Sequence, residues 1–205
     1  MNRTLLAAAV AVAAIAVGVP NTAAASVSID FDSGTHNQLV GADFAALGVT
    51  FSNARYNYTN ALPGQSSPFT ITVPGTSIFG PSNPIVAVFS ADVASVSIVA
   101  VDVGARGAII SAYDATSGGN LVGTDQATGT GNGSGQFFTL SVAGSSIRRI
   151  ELSQRVDTDP ITEGIGFDNL TFAFAPTAVP EPAALALLGA GLLGLAAARR
   201  RARRG

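Results

Sequence analysis

Cysteine, tryptophan and lysine are absent from this chain of 205 residues, and histidine occurs once. Without cysteine there are no disulfides, thiolate nucleophiles or cysteine-ligated zinc, so stability has to come from a packed core, helped at most by a cation. The lone histidine, His36 in DSGTHNQL, would have to carry any Ser-His-Asp triad by itself, and no serine stands in a G-x-S-x-G setting. It reads as a polar loop residue. Also missing between the two ends are an internal repeat and a sustained amphipathic helical pattern.

Positive charge is scarce where it would matter for a polyanionic partner. Of the eleven arginines, Arg3 lies near the start and five lie in the last seven residues; residues 26–179 keep five against twelve acids, a net charge of −7. A nucleic-acid partner is therefore not expected.

The two ends have their own logic. MNRTLLAAAVAVAAIAVGVPNTAAAS opens with a positive charge, an apolar stretch from Leu5 to Val19 and small residues at Ala23-Ala24-Ala25. This is the layout of a secretory signal peptide over residues 1–25, cleaved after Ala25 with Ala23 and Ala25 as the small-residue site; a retained anchor is the alternative. At the other end Pro180 and Pro182 bar a helix from starting earlier, and Ala183 to Ala198 is an uncharged run of Ala, Leu and Gly. Those residues predict a transmembrane helix over 183–198. At about 1.5 Å per residue it rises roughly 24 Å, short of a hydrocarbon core of about 30 Å. Arg199, Arg200, Arg201, Arg203 and Arg204 form a cluster that resists translocation and sets topology.

Val179-Pro180-Glu181-Pro182, an apolar helix and a terminal arginine cluster, in that order, closely resemble the PEP-CTERM sorting signal of Gram-negative bacteria. The resemblance covers about residues 178–205. It implies export, a transient stay in the inner membrane, and processing near Pro-Glu-Pro by an exosortase-type membrane protease. Members of the family are commonly linked to exopolysaccharide, biofilm or the cell envelope. The same tail occurs on proteins labelled ice-binding, a label that concerns the tail and not the domain ahead of it. Physically, two prolines hold an extended segment outside the helix, and the Glu181 carboxylate between them is a recognition handle.

Residues 26–175 are rich in Val, Ile, Phe, Thr and Ser with frequent Gly, Pro and Asn breaks, which predicts an all-β antiparallel sandwich. Strands are expected near 26–32, 47–53, 68–73, 84–91, 94–103, 107–115, 120–127, 136–142, 147–156 and 164–174. Val27, Ile29 and Phe31 alternate with Ser28, Asp30 and Asp32, and Ile150, Leu152 and Val156 oppose Arg149, Glu151, Ser153 and Arg155. VSIVAVDV at 96–103 is apolar on both phases and reads as a central strand. SAYDATSGGNLVGTD at 111–125 reads as two strands joined by a Gly-Gly-Asn turn, and GTGNGSG at 129–135 as a flexible hairpin tip. SIDFD, LVGADFAALGVTFSNA and EGIGFDNLTFAF resemble the jelly-roll domains found ahead of many PEP-CTERM tails, similar to galactose-binding-like and carbohydrate-binding modules.

Several residues are candidates for chemistry. In IGFDNLTFAF the apolar phase slips at Asp168-Asn169, which implies a bulge. If the first and last strands pair, Asp168 meets Asp30 and Asp32, and three carboxylates in an exported protein suit a structural calcium ion. Asp157, Asp159 and Glu163 form a second acidic group, read as a solvated turn with cation or sugar contact as the sharper alternative. Tyr56 and Tyr58 in RYNYTN share one strand face and are spaced to hold a pyranose by stacking. With twelve acids some carboxylate pair is always nearby, so acid pairs alone do not indicate glycoside hydrolysis. The expected function is that of a non-enzymatic, exported envelope or matrix protein associated with polysaccharide; a carbohydrate-binding module of defined specificity is the alternative, and a polysaccharide-acting enzyme the third.

Overall fold

The computed structural model describes residues 25–58, 69–156, 163–176 and 183–203. Most of the signal segment, the Val179-Pro180-Glu181-Pro182 motif, Arg204, and Asp157 and Asp159 lie outside the described residues; of the cleavage site only Ala25 is described, and it is exposed.

The domain is all-β. Nine strands run in chain order: β1 (Ser26–Ile29), β2 (Val49–Ser52), β3 (Arg55–Tyr58), β4 (Phe69–Thr72), β5 (Ile85–Val101), β6 (Ala108–Tyr113), β7 (Leu121–Ala127), β8 (Phe137–Gln154) and β9 (Gly166–Phe174). All strand pairings among the described residues are antiparallel, in the order β3-β4-β9-β5-β8-β6-β7, with β1 added to β9 and β2 to β5.

Two long strands make the sandwich. The expected strand pairs 84–91 with 94–103, and 136–142 with 147–156, are each one continuous strand. Ser90 to Ser95 does not turn the chain back; it shifts the β5–β8 register between Val88 and Val93 and again before Ser95. Such bulges sharpen twist and bend a strand from one sheet into the other. The first half of β5 therefore pairs with β2 and the last part of β8, and its second half with β9 and the first part of β8.

Alternation then fills the space between the two halves. Ile98, Ala100, Leu140, Ile150, Leu152, Phe167, Leu170 and Phe172 all point inward and are fully buried or nearly so. Phe89 and Phe172 meet at 5.0 Å between ring centres, and Phe31 and Phe51 pack edge-to-face at 5.6 Å. Of the expected inward residues on β8, Val156 is the exception, 40% exposed past the strand end.

β1 pairs with β9 in the register Ser26↔Ala173 to Ile29↔Leu170, so the first and last strands are neighbours. The phase slip in β9 is a bulge: Ser97 faces Thr171 while Val99 faces Asp168, and Asn169 sits at φ 50°.

The tail helix α1 runs Ala183–Ala202, beginning directly after Pro182 and carrying Arg199, Arg200 and Arg201 in its last turn. The helix runs four residues past the expected 183–198. Among the described residues no helix is long and apolar enough to cross a membrane. Leu188, Leu192, Leu193 and Leu195 are nevertheless exposed.

Candidate functional site

Strand register builds two outward faces. On one, Ser28, Thr171, Ser97 and Ser141 form a cross-strand row, with Ser28 Oγ and Thr171 Oγ1 3.3 Å apart. A shallow depression of about 270 Å³ lies over this row and is lined mainly by Ser, Thr and Ala. Its side chains are short and uncharged, and they offer little to orient a ligand.

The other face is chemically richer. One cross-strand row reads Thr50, Val88, Arg149, Tyr113 and Leu121, and the next reads Ser52, Val86, Glu151, Ser111 and Thr124. The Arg149 guanidinium lies 4.2 Å from the Tyr113 ring centre, in cation–π range. Arg149 Nη1 donates to the Gly118 carbonyl at 2.9 Å and to the Ala115 carbonyl at 3.3 Å, fixing the β6–β7 turn. Arg149 Nε approaches Glu151 Oε1 at 3.2 Å, an ion-pair contact without hydrogen-bond alignment. The Arg149 side chain is only 9% exposed, whereas that of Glu151 is 28% exposed.

The hydroxyl of Tyr113 feels the same charges. Burial, and then the nearby Glu151 carboxylate, push its pKa up, while Arg149 and Ser111 pull the other way. In the adjoining turn the Asp114 carboxylate accepts from Asn120 N at 2.7 Å and Asn120 Nδ2 at 3.0 Å, which lowers its pKa. The result is an aromatic ring held rigidly by an internal cation and bordered by outward acids and hydroxyls. Sequence reading placed Arg149 and Glu151 on the solvent side of β8 and missed the pairing with Tyr113, because cross-strand neighbours 36 and 38 residues apart have no local signal.

The expected tyrosine pair is corrected. Tyr56 is 1% exposed, with its hydroxyl donating to Asp43 Oδ2 at 3.0 Å; the Leu39–Arg55 bridge and the segment around it cover β3. Only Tyr58, 52% exposed and edge-to-face with Phe69 at 5.4 Å, remains available for stacking. Tyr56→Phe is expected to cost about 1 kcal/mol, the worth of its hydrogen bond, measurable as a shift in the urea midpoint at constant slope.

The calcium triad is not assembled. Asp168 is 1% exposed and its carboxylate accepts from Asn169 N at 2.7 Å and Asn169 Nδ2 at 3.2 Å, whereas Asp30 and Asp32 stand exposed beyond β1. The Asn169 bulge turns the Asp168 carboxylate back onto its own strand. Among the described residues no group of three or more His, Cys, Asp or Glu side chains gathers to hold a metal.

Glu163 is likewise not part of a solvated turn. It is 1% exposed, with Oε1 accepting from Gly104 N at 2.7 Å and Oε2 from Arg106 N at 3.1 Å. Nor is the glycine loop a free tip: Gly129 and Gly133 lie against the backbone of residues 102–104, where a Cβ would meet Val103 O and Gly104 N at 1.8 and 2.4 Å. His36 is exposed, and its Nδ1 accepts from Tyr58 N at 2.9 Å.

Beside that loop, Asp102 sits at φ 62° with Oδ1 buried and unpartnered, and burial raises its pKa; a Gly135 hydrogen bond opposes this, and Glu163 adds to it. A raised pKa means the folded state holds the proton more tightly. Asp102 therefore removes stability as pH climbs from the usual carboxylate range through its folded value. Asp102→Asn keeps an acceptor for Gly135 and suits the left-handed backbone. It is expected to raise Tm at neutral pH, with a smaller gain in acid, as thermal melts at the two pH values would show.

Residues 178–201 match the PEP-CTERM protein-sorting motif. The chain therefore carries a PEP-CTERM sorting signal, which implies an exported protein processed at the membrane. No curated protein matches the chain in sequence. Among solved structures, a family 6 carbohydrate-binding module of Clostridium stercorarium in complex with cellobiose is 15% identical, with a TM-score of 0.37 over 77% of this chain and 100% of that one. The K2 cleaved adhesin domain of Lys-gingipain is 12% identical, with a TM-score of 0.46 over 73% and 100%. A family 29 carbohydrate-binding module is also 12% identical, with a TM-score of 0.39 over 77% and 99%.

Proposed function

We propose that this is an exported, non-enzymatic β-sandwich that binds polysaccharide outside the cell through the Tyr113 face, after its tail has been processed by an exosortase-type protease. The observation that carries the binding step is the pinned ring of Tyr113, bordered by Glu151 and Ser111. A pyranose ring needs an apolar platform for its C–H face and acceptors at its edge for its hydroxyls. Arg149 and the turn it holds fix the ring before a ligand arrives, which lowers the ordering cost of binding. His36 is engaged by the Tyr58 amide, and the acids at the Tyr113 face are held in hydrogen bonds and ion pairs. That arrangement favours binding over bond cleavage.

The test is affinity electrophoresis of the processed protein in gels containing exopolysaccharide from the producing bacterium. Tyr113→Ala is expected to weaken retardation at least tenfold, in the range of an interface hot spot, while Tyr58→Ala has an effect below threefold. Retardation unaffected by Tyr113→Ala would remove this face from consideration.

A further inference from the structure

The ionic character of the Tyr113 face is one-sided. One cation is internal: Arg149 is almost fully covered, donates to Gly118 and Ala115, lies in ion-pair contact with Glu151 and stacks against Tyr113. Its anions face out: Glu151 is 28% exposed, and Asp114 borders Tyr113 in the turn. The next cation on this side, the exposed Arg155, lies four residues past Glu151 and just beyond the end of β8, about 13 Å by strand rise, and donates to Thr128 Oγ1. Beyond the face, residues 26–179 carry a net charge of −7.

An anionic polysaccharide meets one exposed cation on this face, Arg155, about 13 Å from Glu151 by strand rise, and is repelled by the net negative charge of the domain. A neutral one finds the ring and acceptors but gains nothing from the charge. We propose that the ligand is an amino-bearing polysaccharide, built of deacetylated hexosamine units, whose ammonium groups donate to the Glu151 carboxylate while a neighbouring ring stacks on Tyr113. This rests on the polysaccharide reading given above. Each exposed ion pair is weak and screened by salt, but a polymer repeats the charge, so affinity accumulates along the chain.

Calorimetric titration of the full processed protein with glucosamine oligomers, their N-acetylated counterparts and oligogalacturonate tests this, in weakly acidic buffer where amines are protonated and carboxylates ionised. The amino oligomer is expected to bind at least tenfold more tightly than the acetylated one, and to lose most of that advantage when salt rises from about 0.05 to about 0.5 M. Glu151→Gln removes the preference, while Asp32→Asn, the same change of charge on an exposed site away from this face, retains it. The salt dependence of the unmodified protein gives the answer even if a variant folds poorly. Equal or tighter binding of the acetylated or uronate oligomer overturns the amino-sugar assignment and leaves polysaccharide binding standing. Binding of none of the three overturns both.

Discussion

Glu163→Ala is expected to lower the unfolding free energy by about 3–5 kcal/mol, because two buried backbone amides lose their acceptor at once. The carboxylate takes both the Gly104 and the Arg106 amides, and each buried amide left without an acceptor costs about 1–3 kcal/mol. The backbone of Glu163 matters too. Its carbonyl accepts from Gln154 Nε2 at 2.8 Å, and Gln154 Oε1 in turn accepts from Phe79 N at 3.2 Å. One side chain thus joins the β5–β6 loop to the approach to β9, and a second joins that approach to the end of β8. The fall should appear as a Tm lower by roughly 10 °C and a reduced urea midpoint at unchanged slope. Glu163→Gln should fall between the two proteins, since an amide accepts one N–H but presents a donor to the other. A shift of less than about 1 kcal/mol for the alanine variant would mean that water replaces the carboxylate.

The second large effect concerns delivery. Replacing Pro180 and Pro182 together by alanine is expected to abolish processing, with unprocessed chain accumulating in the membrane fraction by tenfold or more. Proline in a helix interior costs about 3 kcal/mol relative to alanine, and α1 begins at Ala183, directly after the second proline. Alanine at both positions lets the helix extend upstream through Glu181. The extended Pro-Glu-Pro segment expected from the sequence would then be lost, because helical backbone groups bond to one another and are withheld from a cleft. Mass spectrometry of the mature C-terminus reads the outcome. An unchanged cleavage site in the double variant would show that the prolines do not define the processing signal.

The sequence was most legible where one residue type has one physical meaning. Alternation on β1 and β8 marked the inward faces correctly, with Ile29, Ile150 and Leu152 all buried. The phase slip at Asp168-Asn169 marked a real bulge, because period-two alternation cannot change phase without an extra residue. Gly118 and Gly119, both at positive φ, form the turn expected between β6 and β7. Bends were harder. Ser90 to Ser95 and Ala143 to Ser146 resemble turns in composition, yet pairing on both sides carries each strand through. Polar residues were hardest, since solvation and burial in a network look identical in sequence. Glu163 and Tyr56 were read as surface groups, and both are buried because hydrogen bonds from distant segments satisfy them. The Tyr113 face is the same problem reversed: its members come from β6 and β8, and only their register brings them together.

The central claim, a delivered domain that binds polysaccharide without cleaving it, is tested most directly by incubating the processed protein with purified exopolysaccharide of the producing bacterium. Co-sedimentation and release of reducing ends are followed in the same tube. Saturable co-sedimentation is expected, lost in Tyr113→Ala, with no reducing ends above the polysaccharide alone. Protein that stays in the supernatant, or reducing ends that rise with time, would contradict it.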